Sequence, residues 1–121
     1  MLGAAVVAAA GGCRSALDPV SDGTLRVAVA ADSVRVRNLG DRPVFTLLVG
    51  DETAPLITWY PCVDAARCPP IAPGATRAEP RPTTVGGRPE RGATVYWWRA
   101  VLVAGGPARP DSVRVLHVRL P

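Results

Sequence analysis

The sequence predicts an all-β sandwich of about seven antiparallel strands that follows an export signal. Gly, Pro, Asn and Asp residues interrupt short apolar runs at close spacing, which is typical of strands joined by turns. Several runs alternate apolar and polar residues, and after the leader no stretch repeats apolar residues at the helical period. The 121 residues are enough for one domain with a single core.

Strand patterns recur along the whole chain after residue 23. The predicted strands are 24–30, 34–37, 44–49, 56–60, 75–79, 94–103 and 112–120. The segment 44–49 is apolar on both faces, which favours a central strand. In the last segment the apolar residues change phase after Val115, and this change predicts a β-bulge near Leu116.

The first residues of the chain carry the pattern of an export signal. Residues 2–10 are an apolar run, which is too short for a membrane-spanning helix of about 20 residues. The small residues before Cys13 resemble the lipobox of bacterial lipoproteins, in which the leader is cleaved and the cysteine becomes the lipidated first residue. We expect residues 1–12 to be a signal peptide and residues 13–23 to be the lipidated Cys13 with its tether. The alternative is a secreted protein whose leader is cut near the same place.

The other two cysteines form a natural pair. With Cys13 committed to lipid, Cys62 and Cys68 remain, and an exported compartment permits disulfides. A closed zinc site would need two further ligands, but His117 is the only histidine in the chain. The sequence therefore predicts a structural Cys62–Cys68 disulfide and no metal site.

The charge pattern argues against a nucleic-acid partner. All of the 14 basic residues are arginine, the net charge is +4, and the arginines are spread along the chain. A nucleic-acid footprint would be a clustered basic stripe with aromatic residues between the charges. An arginine-rich, lysine-free composition is typical of a GC-rich genome, so we expect no nucleic-acid binding.

Catalytic signatures are equally weak. His117 lies in an apolar strand pattern, and the chain has no motif that presents a nucleophilic serine. Asp51 and Glu52 are adjacent, so on an extended chain their side chains point apart, and Asp64 lies between the two paired cysteines. We therefore expect a protein that is not an enzyme and binds no cofactor.

Aromatic residues are the best candidates for a binding surface. Trp97 and Trp98 must point to opposite faces of a strand. Arg99 shares a face with Trp97 and is hard to bury, so we assign Trp98 to the core and Trp97 to the outer face. The predicted ligand or partner surface comprises Trp59, Tyr60, Trp97 and, on the disulfide loop, Arg67.

Four motifs resemble known bacterial families. Residues 34–50 (VRVRNLGDRPVFTLLVG) and 71–74 (IAPG) resemble strand and turn patterns of bacterial immunoglobulin-like domains. The motifs at 59–62 (WYPC) and 96–98 (YWW), with Cys68, are similar to those of a set of small bacterial lipoproteins of unknown activity. The resemblance implies an immunoglobulin-like β-sandwich over residues 24–121. In this chain Cys62 and Cys68 flank one loop, whereas the cysteine pair of antibody domains joins the two sheets.

Together these observations predict a non-catalytic lipoprotein of the cell envelope that acts as an interaction or structural module. Its partners would be the membrane, through a lipid at Cys13, and an envelope protein or a polysaccharide. One alternative is a carbohydrate-binding module that uses surface tryptophans. Another is a protease inhibitor that presents Arg67 on the Cys62–Cys68 loop.

The lipid anchor can be tested directly on the mature protein. We expect Cys13 to be its first residue and to carry acyl chains, because small residues precede it and a polar tether follows it. Mass spectrometry of the membrane fraction measures this. Recovery of an unmodified peptide that spans Gly12 and Cys13 would exclude the anchor.

Overall fold

The computed structural model describes residues 18–121, a range that contains nine short strands. The strands are β1 (Val20–Ser21), β2 (Leu25–Val29), β3 (Ser33–Asn38), β4 (Phe45–Gly50), β5 (Thr76–Pro80), β6 (Gly92–Trp98), β7 (Ala100–Val101), β8 (Arg109–Pro110) and β9 (Arg114–Arg119). A short 3-10 helix, Ala54–Leu56, follows β4. The predicted signal peptide and Cys13 lie outside the described residues. Strand β1 lies within the predicted tether, residues 13–23, and pairs with β2, so the sandwich begins earlier than the predicted residue 24.

Two antiparallel sheets form a sandwich, which confirms the predicted all-β fold class. One sheet has the strand order β1–β2–β3–β5, the other has the order β4–β6–β9, and β7 pairs with β8 alone. Side chains from both sheets share one apolar core, whose most buried members include Leu25, Val27, Val34, Val36, Ala93, Val95, Trp97 and Val118.

The β2–β3 hairpin shows why the alternating pattern gives this fold. Val27 and Val36 are opposite each other and buried, and burial of each valine contributes roughly 1.5–3 kcal/mol. The intervening Arg26 and Arg37 are also opposite each other, but they are exposed on the outer face. The period of two in the sequence therefore fixes which face of the sheet meets the core.

The predicted strand at 56–60 is wrong. The chain makes a 3-10 turn at Ala54–Leu56, in which Pro55 has no N–H to give to a ladder, and residues 57–60 then run without a strand partner. This segment lies on the outer face of the β4–β6–β9 sheet, because Trp59 packs against Tyr96 and Trp98 of β6. Through Trp59 it covers the sheet face and does not extend a sheet edge, so we call residues 57–60 the covering segment.

Two details of the last strands also differ from expectation. The predicted strand 94–103 is divided, because Arg99 leaves the ladder and Ala100–Val101 pairs with Arg109–Pro110. The predicted bulge near Leu116 is absent from the β6–β9 ladder, which runs in unbroken register. Val115 is 48% exposed on the outer face of the sheet. The apolar residues change phase because one of them faces solvent, and no bulge is needed to turn it toward the core.

The assignment of the two adjacent tryptophans is inverted. Trp97 lies in the inter-sheet core and is 2% exposed, whereas Trp98 lies on the outer face beneath the covering segment. Arg99 did not prevent this, because it sits just beyond β6 with its guanidinium carbon 5.5 Å from the centre of the Trp97 ring. Arg114 lies over the same ring at 4.8 Å. The Trp97 indole N–H donates to Asp22 Oδ2 at 2.8 Å, so its polar atom is satisfied.

Replacing Trp97 should measure the strength of this core. We expect Trp97→Ala to lower the free energy of unfolding by about 3–5 kcal/mol, because it leaves a cavity between the sheets. Trp97→Phe should cost less, since it keeps a ring but loses the hydrogen bond to Asp22. Urea unfolding followed by circular dichroism gives both values. A Trp97→Ala variant as stable as the parent would contradict the core position.

Candidate functional site

An apolar groove of about 210 Å³ lies at the β4 side of the sandwich. It brings together β4, the end of β6, the covering segment, the disulfide loop and one side chain of β5. Its lining residues are Phe45, Thr46, Leu47, Trp59, Tyr60, Cys62, Cys68, Pro69, Arg77 and Trp98. We call this the aromatic groove. Arg77 is the one charged residue among those that line it.

Stacked rings give the aromatic groove its shape. The ring centres of Trp59 and Trp98 are 5.6 Å apart and those of Trp59 and Tyr96 are 4.9 Å apart. Phe45 stacks on Trp98 with a ring separation of 6.3 Å. Such pairs contribute about 0.5–1.5 kcal/mol beyond their buried area. The stack therefore holds Trp59 against the sheet, and Tyr60 follows it with 83% of its surface exposed.

The disulfide loop is fixed at several points. Cys62 and Cys68 are bonded, as predicted, with their Cα atoms 6.4 Å apart. The Trp98 indole N–H donates to the carbonyl oxygen of Cys62 at 2.8 Å, which ties the loop to β6. At its other end Ile71 and Val44 exchange two main-chain hydrogen bonds of 2.7 and 3.1 Å. A loop held in this way is ordered before any ligand arrives, which lowers the entropic cost of binding.

Next to the groove, strand β4 has a free edge. β4 pairs with β6 on one side only, and main-chain hydrogen bonds of an antiparallel pair alternate along the strand. Val44 bonds outward to Ile71 and Asp51 bonds inward to Gly92, so the outward set contains Val44, Thr46 and Leu48. For Thr46 and Leu48 the described residues provide no main-chain partner on this side. Two N–H donors and two carbonyl acceptors are therefore open beside the groove.

Only two of the four residues expected to form a binding surface line the aromatic groove. The groove contains Trp59 and Tyr60, whereas Arg67 is exposed on the disulfide loop outside the set that lines it. Trp97 is buried in the core and is not a surface residue, so its assignment to this surface was wrong. Sequence reasoning missed Phe45, for which the available signal was the apolar outer face of β4, and it assigned Trp98 to the core.

A second, polar pocket of about 310 Å³ lies beside β9 and the end of β4. His117 lines it, and its Nδ1 is 3.0 Å from the hydroxyl oxygen of Thr94. Glu52 is directed to Arg88, at an N–O distance of 3.6 Å between exposed side chains. Within residues 18–121 no group of three or more His, Cys, Asp or Glu side chains is arranged to hold a metal ion. The absence of enzyme activity stays a prediction.

Glu90 is the residue of this pocket that sequence reasoning overlooked. Its side chain is 2% exposed, and its carboxylate accepts hydrogen bonds from the N–H of Glu52 at 2.9 Å and from the N–H and hydroxyl of Thr53 at 3.2 and 2.8 Å. A side chain at Gly50 would overlap this carboxylate, so glycine is required there. Burial raises the pKa of Glu90, but these hydrogen bonds and the charge of Arg88 outweigh it and the pKa lies below its usual value. Glu90 fixes the turn after β4 as an ionised group.

The lowered pKa of Glu90 predicts a pH-dependent stability. An ionised group of this kind stabilises the fold fully above its unfolded-state pKa, near 4.5, and the contribution is lost as the pH falls through the lower folded-state pKa. We expect the melting temperature to fall on acidification below that value, and Glu90→Gln to be less stable at neutral pH with a flatter acid profile. The control is Glu52→Gln, whose exposed carboxylate should leave the profile unchanged. Identical profiles for Glu90→Gln and the parent would contradict this role.

No protein-family model, curated protein or solved structure matches the chain. Among residues 18–121 there is no helix of the length and hydrophobicity needed to cross a bilayer. The relationship to immunoglobulin-like lipoproteins therefore stays a prediction.

Proposed function

We propose that this protein is a non-catalytic interaction module of the cell envelope, which binds an extended peptide segment of a partner protein along β4. The observation that carries the proposal is the free main-chain edge at Thr46 and Leu48 directly beside the aromatic groove. An extended peptide adds to such an edge as a further strand, with main-chain hydrogen bonds for affinity and pockets for alternate side chains.

The chemistry of the groove defines the peptide that fits it. Tyr60, which is exposed, and Trp59, which is half-buried, offer apolar ring surface above the buried Phe45 and Trp98. This surface favours an aromatic or branched aliphatic side chain on the peptide. Arg77 at the rim favours an acidic residue nearby, although its guanidinium also donates to the carbonyl of Pro69. Proteins usually cover or blunt an exposed edge of this kind, so an edge left open beside an apolar groove is consistent with a docking function.

The two alternative functions receive less support from the geometry. A sugar platform needs an exposed aromatic face, and Tyr60 offers one, but the Trp59 ring is partly covered by Tyr96 and Trp98. An inhibitory loop would have to present Arg67 in an extended conformation to a protease. Instead Arg67 lies in a tight turn, because its N–H donates to the carbonyl of Asp64 at 3.0 Å.

The envelope location is part of the proposal and rests on other observations. The lipobox-like motif at Cys13 would place the domain at a membrane, and a disulfide between Cys62 and Cys68 suits an oxidising compartment. The strand pairings β2–β3–β5 and β4–β6–β9 correspond to the A–B–E and C–F–G pairings of an immunoglobulin sandwich that lacks strand D. This correspondence supports the resemblance to immunoglobulin-like domains.

A random peptide library displayed on phage is the probe for this function. We expect the full chain to select peptides with apolar residues at alternate positions, because one face of an added strand meets the groove. Tyr60→Ala should weaken binding of a selected peptide at least about ten-fold, as loss of a contact aromatic does. Thr46→Pro should weaken it similarly, because it removes an outward N–H and leaves the β4–β6 ladder intact.

The matched control is Val115→Pro, which removes an outward N–H from β9 at the opposite edge of the same sheet. This variant should bind the selected peptides normally. Peptides that bind Thr46→Pro as tightly as the parent would exclude strand addition at β4. Tyr60-dependent quenching of tryptophan fluorescence by wall polysaccharide, with no peptide selected, would favour the carbohydrate-binding alternative.

A further inference from the structure

The outer face of the β1–β2–β3–β5 sheet carries a cluster of arginines. Arg26 of β2 and Arg35 and Arg37 of β3 all point outward and are exposed. The other outward positions of the four strands hold only Ser, Thr, Ala and Pro, so no outward strand position carries a carboxylate. We call these three residues the arginine face. Arg35 and Arg37 share this face because side chains alternate along β3, and the β2–β3 register adds Arg26 beside them.

The arginines of this face are not balanced by neighbouring charges. Arg26 and Arg37 are directly opposite each other across the β2–β3 ladder, an arrangement that is destabilising for like charges. The ion pairs among residues 18–121 join Arg88 to Glu52 and Arg114 to Asp111, and involve none of the three. The three arginines are surrounded by small uncharged side chains and form a positive surface. The electrostatic complement of this surface is an extended negative surface.

The start of the described chain lies at this same face. Pro19 lines a shallow depression together with Arg26, Arg35 and Arg37. Cys13 precedes Pro19 by six residues, which span at most about 20 Å when extended. A lipid at Cys13 would therefore hold the arginine face close to a bilayer, and this step of the argument rests on the proposed lipid anchor.

We infer that the arginine face docks the domain on an anionic phospholipid surface. Phosphate groups of the headgroups would accept hydrogen bonds from the guanidinium groups and supply the missing negative charge. Nucleic acid fits less well, because single strands bind to basic grooves with aromatic platforms and no aromatic residue occupies an outward position of these strands.

Vesicle binding tests the inference without relying on the lipid anchor. The protein is the full chain with Cys13→Ser, and its binding to phosphatidylcholine vesicles is compared with its binding to vesicles that also contain phosphatidylglycerol. With about a five-fold gain for each arginine, we expect roughly 100-fold stronger binding to the anionic vesicles at low salt. Added salt should reduce this difference, because it screens exposed charges.

Two triple variants with the same net charge locate the contact. Arg26→Gln, Arg35→Gln and Arg37→Gln together should abolish the preference for anionic vesicles without lowering the melting temperature. The control carries Arg91→Gln, Arg109→Gln and Arg119→Gln, three exposed arginines away from this face, and should keep most of the preference.

Three results would overturn the inference. The parent chain could bind both vesicles equally, the two triple variants could lose binding equally, or a soluble anionic polysaccharide could bind the face as tightly as the vesicles do. The lipid anchor is tested separately by the mass of the Cys13 peptide. Failure of the anchor and failure of the arginine face are therefore distinguishable.

Discussion

One buried amide joins the parts of this fold. Asn38 is fully buried at the end of β3, where the chain leaves one sheet for the other. Its Nδ2 donates to the carbonyls of Arg42 and Ile71 at 2.7 and 3.0 Å, and its Oδ1 accepts from the N–H of Gly40 at 2.8 Å. An apolar residue here would leave these buried groups unpaired, which costs about 1–3 kcal/mol for each group. The crossing between the sheets therefore depends on an amide side chain.

The position of Ile71 links this amide to the aromatic groove. Ile71 receives the Asn38 hydrogen bond and pairs with Val44, so the end of the disulfide loop is held against the start of β4. The pairing stops there, which leaves the outward groups of Thr46 open next to the loop. At the other end of β4, the Glu90 carboxylate holds the turn after Gly50. Both ends of the strand are fixed while its middle edge stays accessible.

Local patterns in the sequence were sufficient for the sheets but not for the groove. Alternation correctly located the β2–β3 hairpin, because one face of each strand must be buried. The same reasoning failed for Trp97, since it assumed that the strand continues through Arg99, and a cation at a strand end can lie over an indole ring. It also failed for the strand predicted at 56–60, because a covering segment and a strand have similar apolar composition. The arrangement of Phe45 and Trp98 with the disulfide loop depends on long-range contacts, which a local pattern does not contain.

The two proposed surfaces are compatible because of the sandwich itself. Two stacked sheets lie about 10 Å apart across a shared core, and their outer faces look in opposite directions. The arginines lie on the outer face of the β1–β2–β3–β5 sheet, whereas Tyr96 and Trp98 lie on the outer face of the β4–β6–β9 sheet. A domain docked on a bilayer by its arginines would leave the aromatic groove, at the β4 edge of the sandwich, outside the contact with the lipid. A partner protein could then reach the groove and the β4 edge without competing with the membrane, so one small domain would suffice to hold a peptide at the membrane surface.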